Sequence, residues 1–174
     1  MLLLLGGLLA PSSGKVQLDH EDIYAMSAET RAQWRASHLG IVFQLFHLIP
    51  YLNVEDNILA PTLAITVPHA RERLEALLTQ FQLTARRGHV PSALSIGERQ
   101  RTAMARALLT HPACLLVDEP TGNLDAENAE IVTTALADYT RQGGIVVMVT
   151  HDLAAAARAQ RRVSLRNGQL EEVV

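Results

Sequence analysis

Apolar residues in this chain come in two groupings, short unbroken runs and wider helical stripes, and the two alternate. Unbroken runs occupy residues 39–43, closed by the amide of Gln44, residues 114–117 (Cys114, Leu115, Leu116, Val117), and Ile145–Val149. Runs of four or five apolar residues bounded by polar or turn residues suit strands buried on both faces, as in a parallel sheet. Between them the apolar positions take helical spacing. Leu74, Leu77, Leu78 and Phe81 stand at i, i+3, i+4 and i+7, one buried stripe on a helix over residues 71–81. Ile131, Ala135, Leu136 and Tyr139 make a second stripe, on a helix that Asp125 starts and Gly143-Gly144 ends. Residues 27–38 read as a polar helix capped by Ser27, in which Trp34 packs against a neighbour. A further helix begins near Ile96, a short Ala-rich helix follows Asp152, and Asn167-Gly168 is a hairpin turn before a last strand. Residues 15–18 alternate like a short strand. Strands alternating with helices predict one α/β domain around a mostly parallel sheet.

The opening segment, MLLLLGGLLA, is the most apolar of all. It is too short to span a bilayer, has no basic residue ahead of the run and is broken by Gly6-Gly7, so it reads as the core-facing part of a helix. Hydrophobic residues are 48% of the 174 and aromatics only 4%, which predicts an aliphatic core in a single domain. The net charge is −3 with acids and bases interspersed, which leaves no electrostatic footprint for nucleic acid. Cys114 is the lone cysteine, so no disulfide forms within the chain, as suits a reducing cytosol.

The candidate chemistry lies in one stretch, LSIGERQRTAMARALLTHPACLLVDEPTGNLD, residues 94–125. Asp118 and Glu119 follow a buried strand, and the crevice beyond the carboxyl ends of such strands is where open α/β sheets bind ligands. Taken alone, a strand ending in Asp-Glu is commonly a surface turn or helix cap. The combination of motifs is more specific. Leu94-Ser95-Ile96-Gly97-Glu98 resembles the LSGGQ/E signature of the ATP-binding-cassette ATPases, residues 115–119 resemble their Walker B strand with its glutamate, residues 121–125 their D-loop, and Thr150-His151-Asp152 their switch histidine. The four stand in family order. Gln44 alone reads as a strand-end cap, but Phe46, Leu48, Pro50, Val54, Glu55 and Asn57 after it also match, so the segment resembles the family's Q-loop.

The resemblance covers the C-terminal four-fifths or so of a cassette and is nearest to the lipoprotein-release and macrolide-export branch. It implies a RecA-like P-loop NTPase core over residues 1–44 and 94–174, with an α-helical signature lobe over residues 45–93. Residues 1–14 resemble the helix after the phosphate loop, with Pro11 to Gly14 as its closing turn, and residues 19–23 the turn and ribose-side strand of the antiparallel part. No GxxxxGK followed by Ser or Thr occurs. The phosphate loop, the first strands and the adenine-stacking aromatic are therefore expected ahead of Met1. Either the true start lies upstream, with a leucine codon read as the initiating Met1, or the protein is a real fragment; the family's usual leucine at this position favours the first.

The resemblance also implies the roles. ATP and Mg²⁺ are the expected ligands, with Asp118 and Gln44 on the metal, Glu119 acting on the attacking water and His151 donating to the γ-phosphate while fixing Glu119. Ser95, Gly97 and Glu98, at a helix start that binds anions, face the ATP of a second subunit, and Asp125 lies across that interface. Ile96 replaces the first signature glycine, which would strain the site if a positive φ were needed there. The surface after Gln44, from His47 through Asn53, is the expected contact with an integral-membrane permease, which places the protein at the cytoplasmic face of the membrane. The other histidines, His20, His38, His47, His69, His89 and His111, lack metal-ligand spacing. The rivals are a hydrolysis-incompetent interaction subunit or fragment, favoured by the absent lysine loop, and a soluble cassette ATPase of DNA repair or translation, which would carry a second cassette or long insertions.

Overall fold

The chain opens on α1 (Leu2–Leu5), much shorter than the ten-residue helix its apolarity suggests. Gly7 has φ +66°, Gly7 N–H donates to Leu4 O and Leu8 N–H to Leu3 O, which is the left-handed closure that ends helices at glycine. Leu2 is buried, whereas Leu8 and Leu9 are about half exposed. The computed structural model describes residues 1–18 and 20–173, so Asp19, the first residue of the expected turn and ribose-side strand, lies outside the described residues.

Next come β1 (Gln17–Leu18) and β2 (Glu21–Asp22), an antiparallel pair with Leu18 opposite Glu21. The polar helix is α2 (Ala28–His38), whose Thr30 N–H donates to the Ser27 cap oxygen. Trp34 stacks on His38 and its indole N–H donates to Glu21, the packing role expected of it. The strand β3 (Leu39–Val42) stops two residues short of Gln44. Residues 45–93 contain α3 (Val54–Leu59), α4 (Ala70–Gln80) and three 3-10 turns, at Ala60–Leu63, Thr84–Arg86 and Pro91–Ala93. Then follow α5 (Ile96–Leu108), β4 (Cys114–Asp118), α6 (Ala126–Arg141), β5 (Ile145–Val149), α7 (Leu153–Ala157) and the hairpin β6 (Arg162–Arg166) with β7 (Gln169–Val173). Asn167 and Gly168 turn that hairpin with φ +50° and +80°, as an Asn-Gly pair favours.

The sheet runs β3-β4-β5, all parallel, with Val42 level with Val117 and Asp118 level with Val149. Strand alternation assigns its apolar residues to two layers. Leu115 and Val117 join a large cluster with Ile58, Leu74, Leu78, Met104 and Val132, whereas Cys114 and Leu116 join a smaller one with Leu2, Leu39 and Trp34. Helices therefore cover both faces. Burial raises the Cys114 thiol to about 11, which leaves it protonated and unreactive near neutral pH. Among the described residues, no helix is long and apolar enough to cross a membrane.

One glycine sets the distance between α5 and the sheet. A Cβ on Gly40 would lie 2.6 Å from Leu115 Cδ1 and 2.7 Å from Ala107 O, and a carbonyl cannot swing aside as a side-chain tip can. Gly40→Ala is expected to destabilise by about 1–3 kcal/mol, the usual cost of overpacking. A thermal melt checks this, and an unchanged midpoint would contradict the close approach.

Candidate functional site

Three parallel strands end at one edge, and the chain delivers its polar residues there. Asp118 is the last residue of β4, and Glu119 follows with its N–H donating to Val149 O at 2.8 Å. Glu119 has φ +46°, an uncommon conformation for a residue with a side chain, which costs of order 1–3 kcal/mol and clusters at functional sites. That turn aims the carboxylate at the end of β5. His151 Nδ1 lies 2.7 Å from Glu119 Oε1, His151 N–H donates to the same oxygen at 3.0 Å, and the Thr150 hydroxyl donates to Oε2 at 3.1 Å. Asp152 N–H donates to Thr150 Oγ1, Asp152 Oδ2 accepts from Thr121, and Asp152 caps α7. The hydrogen bond His151 makes to the Glu119 carboxylate, together with that group's charge, raises the His151 pKa above the ordinary 6.5.

The four strand-end residues expected to converge do so unequally. Glu119 and His151 touch. Asp118 is half-buried and Gln44 exposed, both at the same edge, and neither side chain hydrogen-bonds to any described residue. Sequence reasoning assigned no role to the Thr150 hydroxyl or the Thr121–Asp152 bond; a threonine between an apolar strand and His-Asp was the available signal.

The second cluster is the start of α5. Ser95 Oγ accepts from Glu98 N–H at 3.2 Å and Glu98 Oε2 accepts from Ser95 N–H at 2.8 Å, a reciprocal cap. Arg86 takes the other Glu98 oxygen at 2.6 Å. Burial pushes the Glu98 carboxyl up, but Arg86 and the Ser95 donors outweigh it and hold the group below its usual range. Both Glu98 oxygens are thus engaged within the chain. Ile96 is half exposed in the first turn with no positive φ, so the strain considered for a β-branched residue there does not arise. Asp125 caps α6, accepting from Asn128 N–H at 2.8 Å.

The loop after Gln44 is held from below. Phe46 and His47 both have positive φ, and the half-buried Arg106 of α5 donates to their carbonyls at 2.7 Å each. Asn57, fully buried in α3, donates from Nδ2 to Ile49 O, Leu52 O and Asn53 O and accepts Ile49 N–H at 2.7 Å. Residues 47–53 therefore present a fixed surface, with Tyr51 80% exposed at its tip.

Among the described residues, no three His, Cys, Asp or Glu side chains gather as a metal cage. Asp118 and Gln44 offer two hard oxygen donors without competing partners among the described residues. That set fits a Mg²⁺ ion, which keeps several waters and binds through one or two protein oxygens plus phosphates.

Comparison with known proteins agrees with this geometry. The family model described as ABC transporter matches residues 1–122. The lipoprotein-releasing system ATP-binding protein LolD of Hahella chejuensis is 42% identical over 99% of this chain and 76% of its own length. The uncharacterized ABC transporter ATP-binding protein YbbA of Escherichia coli is 45% identical over 99% of this chain and 77% of its own. Among solved structures, the dimeric bacterial ABC transporter cassette MJ0796 superposes with a TM-score of 0.89 at 32% identity, over 98% of this chain and 77% of that one. Its dimeric post-hydrolysis state bound to ADP and Pi superposes with a TM-score of 0.88 at 31% identity. The parallel sheet with helices on both faces is thus the RecA-like P-loop core of these cassettes. Since the family match runs through Walker B and the identity with LolD and YbbA continues through the remaining strands, the chain belongs to the ABC transporter family of ATP-binding proteins.

Proposed function

We propose that this protein is the ATP-binding subunit of an ABC transporter, in which two copies close on nucleotide and pass that closure to an integral-membrane permease. The Glu119–His151 contact of 2.7 Å at the carboxyl edge of the sheet is the observation that carries this reading. Hydrolysis needs a positioned water, a base to orient it and donors on the γ-phosphate. Glu119, steadied by Thr150 and His151, is the base. With Nδ1 donating to Glu119, a neutral His151 has a bare Nε2, so it can donate to a phosphate only as imidazolium, the form its raised pKa favours. Asp118 and Gln44 would hold Mg²⁺, which supplies charge neutralisation between the phosphates.

Ser95, the first-turn N–H groups of α5 around Gly97, and Glu98 through its cap face the triphosphate of the second copy, with Asp125 at the same interface. Residues 45–93 act as a helical lobe beside the core of residues 1–44 and 94–174. The surface of residues 47–53 receives the permease at the cytoplasmic side of the membrane. Lipoprotein release, which the name of the Hahella relative carries, is the first process to test, with substrate choice residing in the permease.

A second reading, a hydrolysis-incompetent interaction subunit, draws on the lack of any GxxxxGK segment within the 174 residues. Nucleotide binding and phosphate release by this 174-residue chain separate the two. Weak ATP binding with negligible release is expected, because the lysine and N–H groups that cradle phosphates are not among its residues. Robust turnover would overturn that account. Failure of Mg·ATP to pair two copies, in a form of the protein that includes such a segment, would sink the transporter reading.

A further inference from the structure

Gly97 lies in the first turn of α5 without a positive φ, so its backbone does not require glycine. Its surroundings do. A Cβ there would fall 2.4 Å from Asn128 Cγ, 2.5 Å from Oδ1 and 2.7 Å from Nδ2. The N-terminal turns of α5 and α6 thus meet with the amide of Asn128 filling the notch that the glycine leaves. The same amide holds the next acid: Nδ2 donates to both oxygens of Asp125 at 2.8 Å, and Asn128 N–H donates to Oδ1 at 2.8 Å. An exposed aspartate would ordinarily sample several rotamers; three bonds from one residue leave it one.

We propose that Asn128 is a positioning residue that orients Asp125 and, seated against Gly97, makes the start of the signature helix and the D-loop acid one rigid edge. Asn128 touches no nucleotide in this account. It acts through Asp125, and the inference rests on the reading in which Asp125 faces the second copy. Two helix N-termini side by side concentrate positive potential, and the acids Glu98, Asp125 and Glu127 offset it. The Arg101 guanidinium feels all three and donates to Phe81 O at 2.5 Å, extending the edge to the end of α4. A closing motion sensed at Asp125 would therefore reach the start of α5 without slack.

The Asn128 bonds also hold the Asp125 carboxyl below its usual range, which supplies a readout independent of activity. The test is the ¹³C carboxyl titration of Asp125 in the nucleotide-free chain, with Arg101, Glu98 and Glu127 as the charged neighbours common to every variant. Asn128→Ala should shift the midpoint upward, and Gly97→Ala should shift it upward as well, because the new methyl displaces the amide. The double variant should titrate no higher than Asn128→Ala alone, since the two changes break one contact. An unmoved midpoint in Gly97→Ala, or a double variant equal to the sum of the singles, would overturn the proposal. Should Gly97→Ala alone fail to fold, the double variant should fold, because the clashing atoms are gone; a double variant that also fails would overturn it. The titration is read without ATP, so its failure speaks against the brace. Lack of Mg·ATP-driven pairing in the unsubstituted protein would speak against the reading beneath it.

Discussion

Replacing Glu119 by glutamine is expected to cut phosphate release by about 10²–10⁴-fold, the typical contribution of a positioned general base, while two copies still pair on Mg·ATP. The amide keeps the shape of the carboxylate: its one oxygen can still accept from His151 while its NH2 donates to the Thr150 hydroxyl, so the edge of the sheet should hold its form. It cannot take a proton. Phosphate release, in whatever form of the protein turns over ATP, and sedimentation with and without nucleotide are the measurements. Unchanged turnover would remove Glu119 from the role.

The same substitution has a second readout. Glu119 raises the His151 pKa, so the imidazolium is favoured by folding. Stability from that charge is fully present below the ordinary 6.5 and is lost as the pH rises through the raised folded value. In Glu119→Gln the His151 proton resonances should titrate at lower pH, because the partner's negative charge is gone. A midpoint unmoved by the substitution would mean the contact does not tune the imidazole.

Asn57→Ala should be among the most damaging changes outside the strand-end site. Its side chain makes four hydrogen bonds to the backbone of residues 49–53 from a fully buried position. Removing it leaves buried donors and acceptors unpaired, at about 1–3 kcal/mol each before water enters, so a net loss of about 3 kcal/mol is expected. For a domain of this size that corresponds to a drop of roughly 6–12 °C in melting temperature. Asn57→Asp serves as the control: the acceptor stays, three donor bonds go and a charge is buried, so it should be no more stable than alanine. A shift below about 1 kcal/mol in both variants would show that the 49–53 loop is held by something else. A companion effect is expected at the surface of residues 47–53, the proposed permease contact, since the loop fixed by Asn57 and Arg106 is the one that presents Tyr51.

The helical stripes and buried runs read from the sequence correspond to α4, α6, β3, β4 and β5, because period and burial follow from side-chain character alone. The cap at Ser27 and the helix start at Asp125 were equally local, since a cap bonds within three residues. The opening segment was misjudged in length. Apolarity gave the expectation of a helix through residue 10, but the left-handed turn at Gly7 ended it after Leu5 and turned Leu8 and Leu9 toward solvent.

Motif order along the chain was sufficient to propose Asp118, Glu119, His151 and Gln44 as one group, because parallel strands deliver their carboxyl ends to one edge. What the sequence could not contain was distance. The strained turn that brings Glu119 to His151, the Arg106 bonds under the Gln44 loop and the seat of Asn128 against Gly97 join residues 32, 59 and 31 positions apart. Such contacts depend on how helices pack against the sheet, and that packing is settled by the summed burial of the whole core, so only the tertiary structure decided them.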